Sequence, residues 1–230
     1  MSAAPAKVFA YDGHLARLLL TVLGGFAVSA QFVLAALPAL AVDAASPAVS
    51  HGSIWLGALA ALPIGPAAYA ALAGTRDMIT ERGYAGAPLR RFRRAFAAGA
   101  VRLWWLWTGL ALMQVLLAYD SALYGAGDGA FLAVTAAALL LGLASIAVCC
   151  TVLGGAEGPP LRVLTVAVQA AVVRPLAPFA WTVALLAAGA AVAIPLVGPS
   201  LALFAPAGCA WAILTANAAT GFDRKAAVDA

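Results

Sequence analysis

Five stretches of this sequence carry no charged side chain: residues 18–42, 44–75, 103–119, 129–156 and 175–222, of 25, 32, 17, 28 and 48 residues. A helix needs ~20 apolar residues to cross ~30 Å of hydrocarbon. As one helix the last run would reach ~72 Å at ~1.5 Å per residue, so it has to fold back once. Pro195, Gly198 and Pro199 are the expected turn. With 65% apolar and 10% charged residues and a mean hydropathy of +1.00, the chain lies far from soluble domains, where charged residues make up about 25%. The expectation is all-α: a polytopic membrane helix bundle, one integral membrane domain over residues 1–230. It has six spans, near 18–40, 54–73, 103–119, 131–153, 176–195 and 201–218.

The charges fix a direction. Seven of the thirteen basic residues (Arg76, Arg82, Arg90, Arg91, Arg93, Arg94 and Arg102) fall between Gly74 and Arg102, an island read as a cytoplasmic loop. With the N-terminus inside, the other six (Lys7, Arg17, Arg162, Arg174, Arg224 and Lys225) also fall inside. The outer segments, 43–53 and the SALYGAGDG stretch after Asp120, keep only Asp43, Asp120 and Asp128. Lys and Arg collect on the cytoplasmic side of membrane proteins. Both termini are therefore expected in the cytoplasm and the chain in a bacterial cytoplasmic membrane. The net charge of +4 belongs to this bias and to anionic lipid, not to nucleic acid. Lys7 and Arg17 before a run ending Val28-Ser29-Ala30 have the look of a signal peptide. That run continues to Val42, so an uncleaved first span is expected.

Within the island a helix is expected from Pro88 to Arg102, since proline suits the first helical position. At 100° per residue Leu89, Phe92, Phe96 and Leu103 share one sector, and Arg90, Arg91, Arg93 and Arg94 lie opposite. That is an amphipathic helix in the interface, running toward Trp104, Trp105 and Trp107. The arginine face has two readings: an ordinary solvated positive-inside segment, or a surface that meets lipid headgroups or a partner. Span two carries Pro63-Ile64-Gly65-Pro66. Its readings are a packing kink or a broken helix lining a site.

No catalytic constellation is present. The spans contain no Asp, Glu, Lys or Arg, and HExxH, CxxC, GxSxG and phosphate-loop motifs are missing. Ion-coupled transporters keep ionisable groups at membrane depth, so a coupled pump is disfavoured. Cys149, Cys150 and Cys209 read as small buried residues, and neither metal nor cofactor is expected. Gln31, Gln114, Asn217, Thr108, Thr135, Ser145 and Thr215 are expected to bond between helices. Pro88-Leu89-Arg90 recurs as Pro160-Leu161-Arg162, and Arg102 as Arg174, both at an offset of 72. This suggests two same-way-up hairpins.

The PIGPAAYAAL of span two, the APLRRFRRAFAAGAVRLWWLW that follows the polar segment, the closing LLAYD and the terminal GFDRK resemble the YesL-like family of small bacterial membrane proteins. The likeness covers Leu62 to Asp120, and the chain departs from the family's layout at residues 41–61. The resemblance implies a non-enzymatic accessory role beside carbohydrate uptake, with an ABC-type sugar importer as partner and no catalytic residues. The alternative is a small transporter or channel for an uncharged solute.

Overall fold

The computed structural model describes residues 14–46, 50–80, 87–124, 128–196 and 198–222. Helix accounts for 89% of the described residues, and there is no strand among them. In order, the helices are α1 (His14–Ala45), α2 (His51–Ala61), α3 (Ile64–Thr80), α4 (Pro88–Arg102), α5 (Trp104–Tyr124), α6 (Asp128–Leu153), α7 (Pro160–Val173), α8 (Leu176–Val192), α9 (Gly198–Ala202) and α10 (Ala205–Thr220).

Four helical stretches are long and apolar enough to cross a bilayer. They are 28 residues of α1 from Leu18, 30 residues over α2 and α3, 20 residues of α5 and 22 of α6. A fifth arises if α7 and α8, which meet at 92°, count as one broken span. α8 and α10, where spans five and six were expected, have 17 and 16 residues. At ~1.5 Å per residue both fall short of ~30 Å.

Several boundaries move from their expected places. α1 continues through Asp43 to Ala45, and α2 starts at His51 behind a reciprocal cap. The Ser50 hydroxyl accepts from the Ser53 amide (3.1 Å), and the Ser50 amide donates to the Ser53 hydroxyl (2.8 Å). Helix therefore takes up both ends of the expected loop 43–53. The third span ends at Tyr124 rather than Tyr119. Most of the segment expected as a cytoplasmic loop is helix: α3 runs on to Thr80 and α4 begins at Pro88. Arg82 lies outside the described residues.

Two contacts set α4 antiparallel along α3. Arg91 reaches Asp77 at 3.7 Å, and Gly99 fits against Tyr69, where a Cβ would come within 2.6 Å of the ring. Phe92 and Met78 then share a buried cluster with Val28, Ala70 and Ala207. α4 is thus packed on protein along its apolar side. Leu89, placed in the same sector by sequence, is instead 61% exposed, because it lies in the first turn, ahead of the α3 contact.

α5 runs back along α2 and α3. His51 Nδ1 and the Tyr119 hydroxyl are 2.9 Å apart at one end, and Trp107 covers Gly65 at the other. The last uncharged run does fold back. α8 and α10 pack antiparallel, joined by Trp181 to Asn217 and by Cys209 Sγ to the Ala184 carbonyl. Gly221, at φ 67°, ends α10 in the left-handed conformation that glycine takes without a Cβ penalty. Lipid tails solvate leucine as well as another leucine does. The bundle therefore depends on close packing and on hydrogen bonds between helices.

Candidate functional site

Two regions stand out: the arginine face of α4 and the break between α2 and α3. On α4 the five arginines divide. Arg91 pairs with Asp77 of α3 (3.7 Å), and Arg102 pairs with Glu157 in the turn between α6 and α7 (3.0 Å). Arg90, Arg93 and Arg94 are exposed and make no ion pair among the described residues. Two of the five arginines thus face carboxylates, and the other three present positive charge with no ion pair among the described residues. Because α4 is locked to α3, that face is rigid.

Two further arginines act where sequence reasoning saw only topology. Arg76 Nη1 donates to the Leu153 carbonyl at the end of α6, and Arg174 Nη1 donates to the Thr220 carbonyl at the end of α10. The last carbonyls of a helix have no partner of their own and carry the negative end of its dipole. A guanidinium there satisfies both. Arg102 and Arg174, equivalent at the offset of 72, therefore do different jobs. Pro88 and Pro160 do match: each opens a helix at its first position, and a second helix follows almost at once.

At the break the chain leaves helical hydrogen bonding at Leu62 and Pro63 and resumes at Ile64, so Gly65 and Pro66 are inside α3. Pro66 is buried, and Pro63 is half-buried. A Cβ on Gly65 would fall 2.6 Å from Trp107 Cδ2. Trp107 Nε1 in turn donates to the Gly99 carbonyl (3.0 Å). Packing accounts for Gly65, but the break also opens space. A cavity of about 450 Å³ between α1, α2 and α5 is lined by Asp43, Ser46, Ser53, Gln114 and Ser121 among others. It shares Ala61, Ile64 and Gln114 with a cavity of about 370 Å³ that touches Gly65, Trp107, Gly142 and Ser145. That one shares Ala68, Ile146 and Leu185 with a wholly apolar third of about 240 Å³. The series is polar at one end and apolar at the other, and among the described residues Asp43 is its one charged lining residue.

The polar residues of the spans mostly bond their own helix. Thr108, Ser145 and Thr215 donate to carbonyls four residues back, and the Gln31 amide does the same. A hydroxyl in a helix finds that carbonyl locally, without a neighbour. Asn217 does reach another helix. It accepts from Trp181 Nε1 at 2.9 Å, with both side chains fully buried. Ser29, which the sequence did not single out, makes the longest-range bond. Its hydroxyl accepts from the Ala207 amide (3.0 Å) in the first turn of α10.

Cys149, Cys150 and Cys209 form no disulfide, and no group of three metal-ligating side chains occurs among the described residues. No protein-family model, curated protein or solved structure matches the chain.

Proposed function

We propose that this chain is a non-enzymatic accessory protein of a bacterial cytoplasmic membrane, YesL-like in its motifs, that works beside carbohydrate uptake. In this reading α4 docks a membrane or cytoplasmic partner, an ABC-type sugar importer being the first candidate. Both termini and every basic residue are on the cytoplasmic side. The supporting observation is the arrangement of α4: Gly99 and Phe92 pack it on the bundle, while Arg90, Arg93 and Arg94 stay exposed without an ion pair among the described residues. The helix backbone is already held by packing, so docking has only the arginine side chains left to order. Tagged protein extracted gently with surrounding lipid should carry importer components, and Arg90→Glu/Arg93→Glu/Arg94→Glu should lose them. Recovery of no transporter component by the unmodified chain would contradict this role.

The cavity series favours a second reading, a path or binding site for a small uncharged solute. Gly142 lines the middle cavity, and a Cβ there meets nothing within 4 Å. Gly142→Leu should fill that space without disturbing the fold. If vesicles containing the unmodified protein pass neutral solutes, the leucine variant should block them. Absence of any flux would remove this reading.

A further inference from the structure

We propose that α8, α9 and α10 form a re-entrant hairpin that enters and leaves the bilayer on the side of the arginines, with its tip inside the hydrocarbon. The proposal rests on α1 being a full span. It keeps the sidedness of the termini given above and replaces the fifth and sixth crossings, since a hairpin returns to its own side at any depth.

The depth follows from α1. Ser29 stands 11 residues from Leu18 and 16 from Ala45, near the centre of the uncharged run 18–42. Three contacts place the start of α10 there: the Ser29 hydroxyl to the Ala207 amide at 3.0 Å, Phe26 and Phe204 with ring centroids 5.6 Å apart, and Gly25, where a Cβ would lie 3.7 Å from that of Ala207. The first turn of α10 is therefore near mid-bilayer, ~15 Å from either edge of a ~30 Å core. Ala188 and Ala191 of α8 line one cavity with Leu201 and Phe204, so α8 is level with this region shortly before it ends at Val192. Beyond it the tip holds only the five-residue helix α9, ~7.5 Å long at ~1.5 Å per residue, against the ~15 Å that remains. The tip stops short of the far surface.

The chemistry of the tip agrees independently. Residues 193–204 read AIPLVGPSLALF, without a charge, and Leu196 is 97% exposed. The turns at the far ends of α1 and α5 carry Asp43, His51, Asp120 and Asp128 instead. Unbonded backbone polar groups are costly in hydrocarbon, so the amides of an inserted tip should mostly be bonded within it. Ala193, Ile194, Gly198, Leu203 and Phe204 donate to carbonyls of the hairpin itself. Pro195, Pro199 and Pro206 have no N–H to satisfy. α10 has no side-chain cap of its own, and Ser29 supplies one from α1. The two arms of the hairpin also wall the apolar end of the cavity series through Leu185, Ala205 and Pro206.

The test is spin labelling at Leu196→Cys in a background without the native cysteines, in phosphatidylcholine/phosphatidylglycerol vesicles, with Ser121→Cys as the outer reference. The expected result is that oxygen relaxes the Leu196→Cys label far more than a water-soluble nickel chelate does, with the reverse at Ser121→Cys. Nickel access at Leu196→Cys equal to that at Ser121→Cys overturns the proposal. A membrane-impermeant maleimide on intact cells gives a second measurement without a bulky label: no reaction at Leu196→Cys is expected, and reaction equal to that at Ser121→Cys overturns it. The side on which Ser121→Cys and Ala87→Cys react is read separately, so an error of topology and an error of depth give different results.

Discussion

Trp107 donates its indole N–H to the Gly99 carbonyl at 3.0 Å while its ring lies over Gly65. One side chain of α5 thereby holds α3 and α4 together. Both glycines are there because the approach leaves no room for a Cβ. Gly65→Ala and Gly99→Ala should each cost about 1–3 kcal/mol through overpacking. Gly109→Ala, which meets nothing within 4 Å, should gain about 0.5–1 kcal/mol from helix propensity. Thermal unfolding in detergent separates them: two midpoints fall and one rises.

Ser29→Ala leaves the buried Ala207 amide without its acceptor. The expected cost is about 1–3 kcal/mol, with Ser29→Thr, which keeps a hydroxyl, recovering most of it. The readout is again the unfolding midpoint. A neutral alanine variant would mean that the amide finds another partner.

Trp181 and Asn217 form a buried pair. Removing one partner strands the other, whereas replacing both with apolar groups can be nearly neutral. Trp181→Phe and Asn217→Leu should each destabilise, and the double variant should lose less than their sum. The coupling expected between membrane helices is about 0.6 kcal/mol, rising to about 1.7. A double-mutant cycle on unfolding midpoints measures it.

The sequence displayed the apolar runs, the proline starts of α4 and α7, and the fold-back near Pro195, because each is local: a count of residues or a missing N–H. It did not display the roles of Ser29, Arg76 and Arg174. Each acts on a carbonyl or amide dozens of residues away, and no periodicity records that partner. Leu89 failed for a related reason. Helical phase gives a direction around the axis, but the extent of α3 decides where along α4 that direction is covered. The candidate site was legible in part. Pro63 and Gly65 marked the break, but the cavities depend on α1, α5 and α6 closing around it.

Arg76 and Arg174 bond to helix-end carbonyls and are half-buried, whereas the Arg102 side chain is 44% exposed in its pair with Glu157. Arg76→Ala and Arg174→Ala should each cost about 1–3 kcal/mol, while Arg102→Ala should cost about 1 kcal/mol or less. Added salt should weaken the unmodified chain's dependence on Arg102 more than its dependence on Arg76, because exposed pairs are screened. Unfolding midpoints at low and high salt decide between these outcomes.

The separation of charge across the membrane is tested most directly by sidedness. Single cysteines at Ser121 and Ala87, both exposed, are placed in a background without native thiols and treated with an impermeant maleimide. Ser121→Cys should react on intact cells, and Ala87→Cys only after the membrane is opened. Reaction of both from one side would contradict the account.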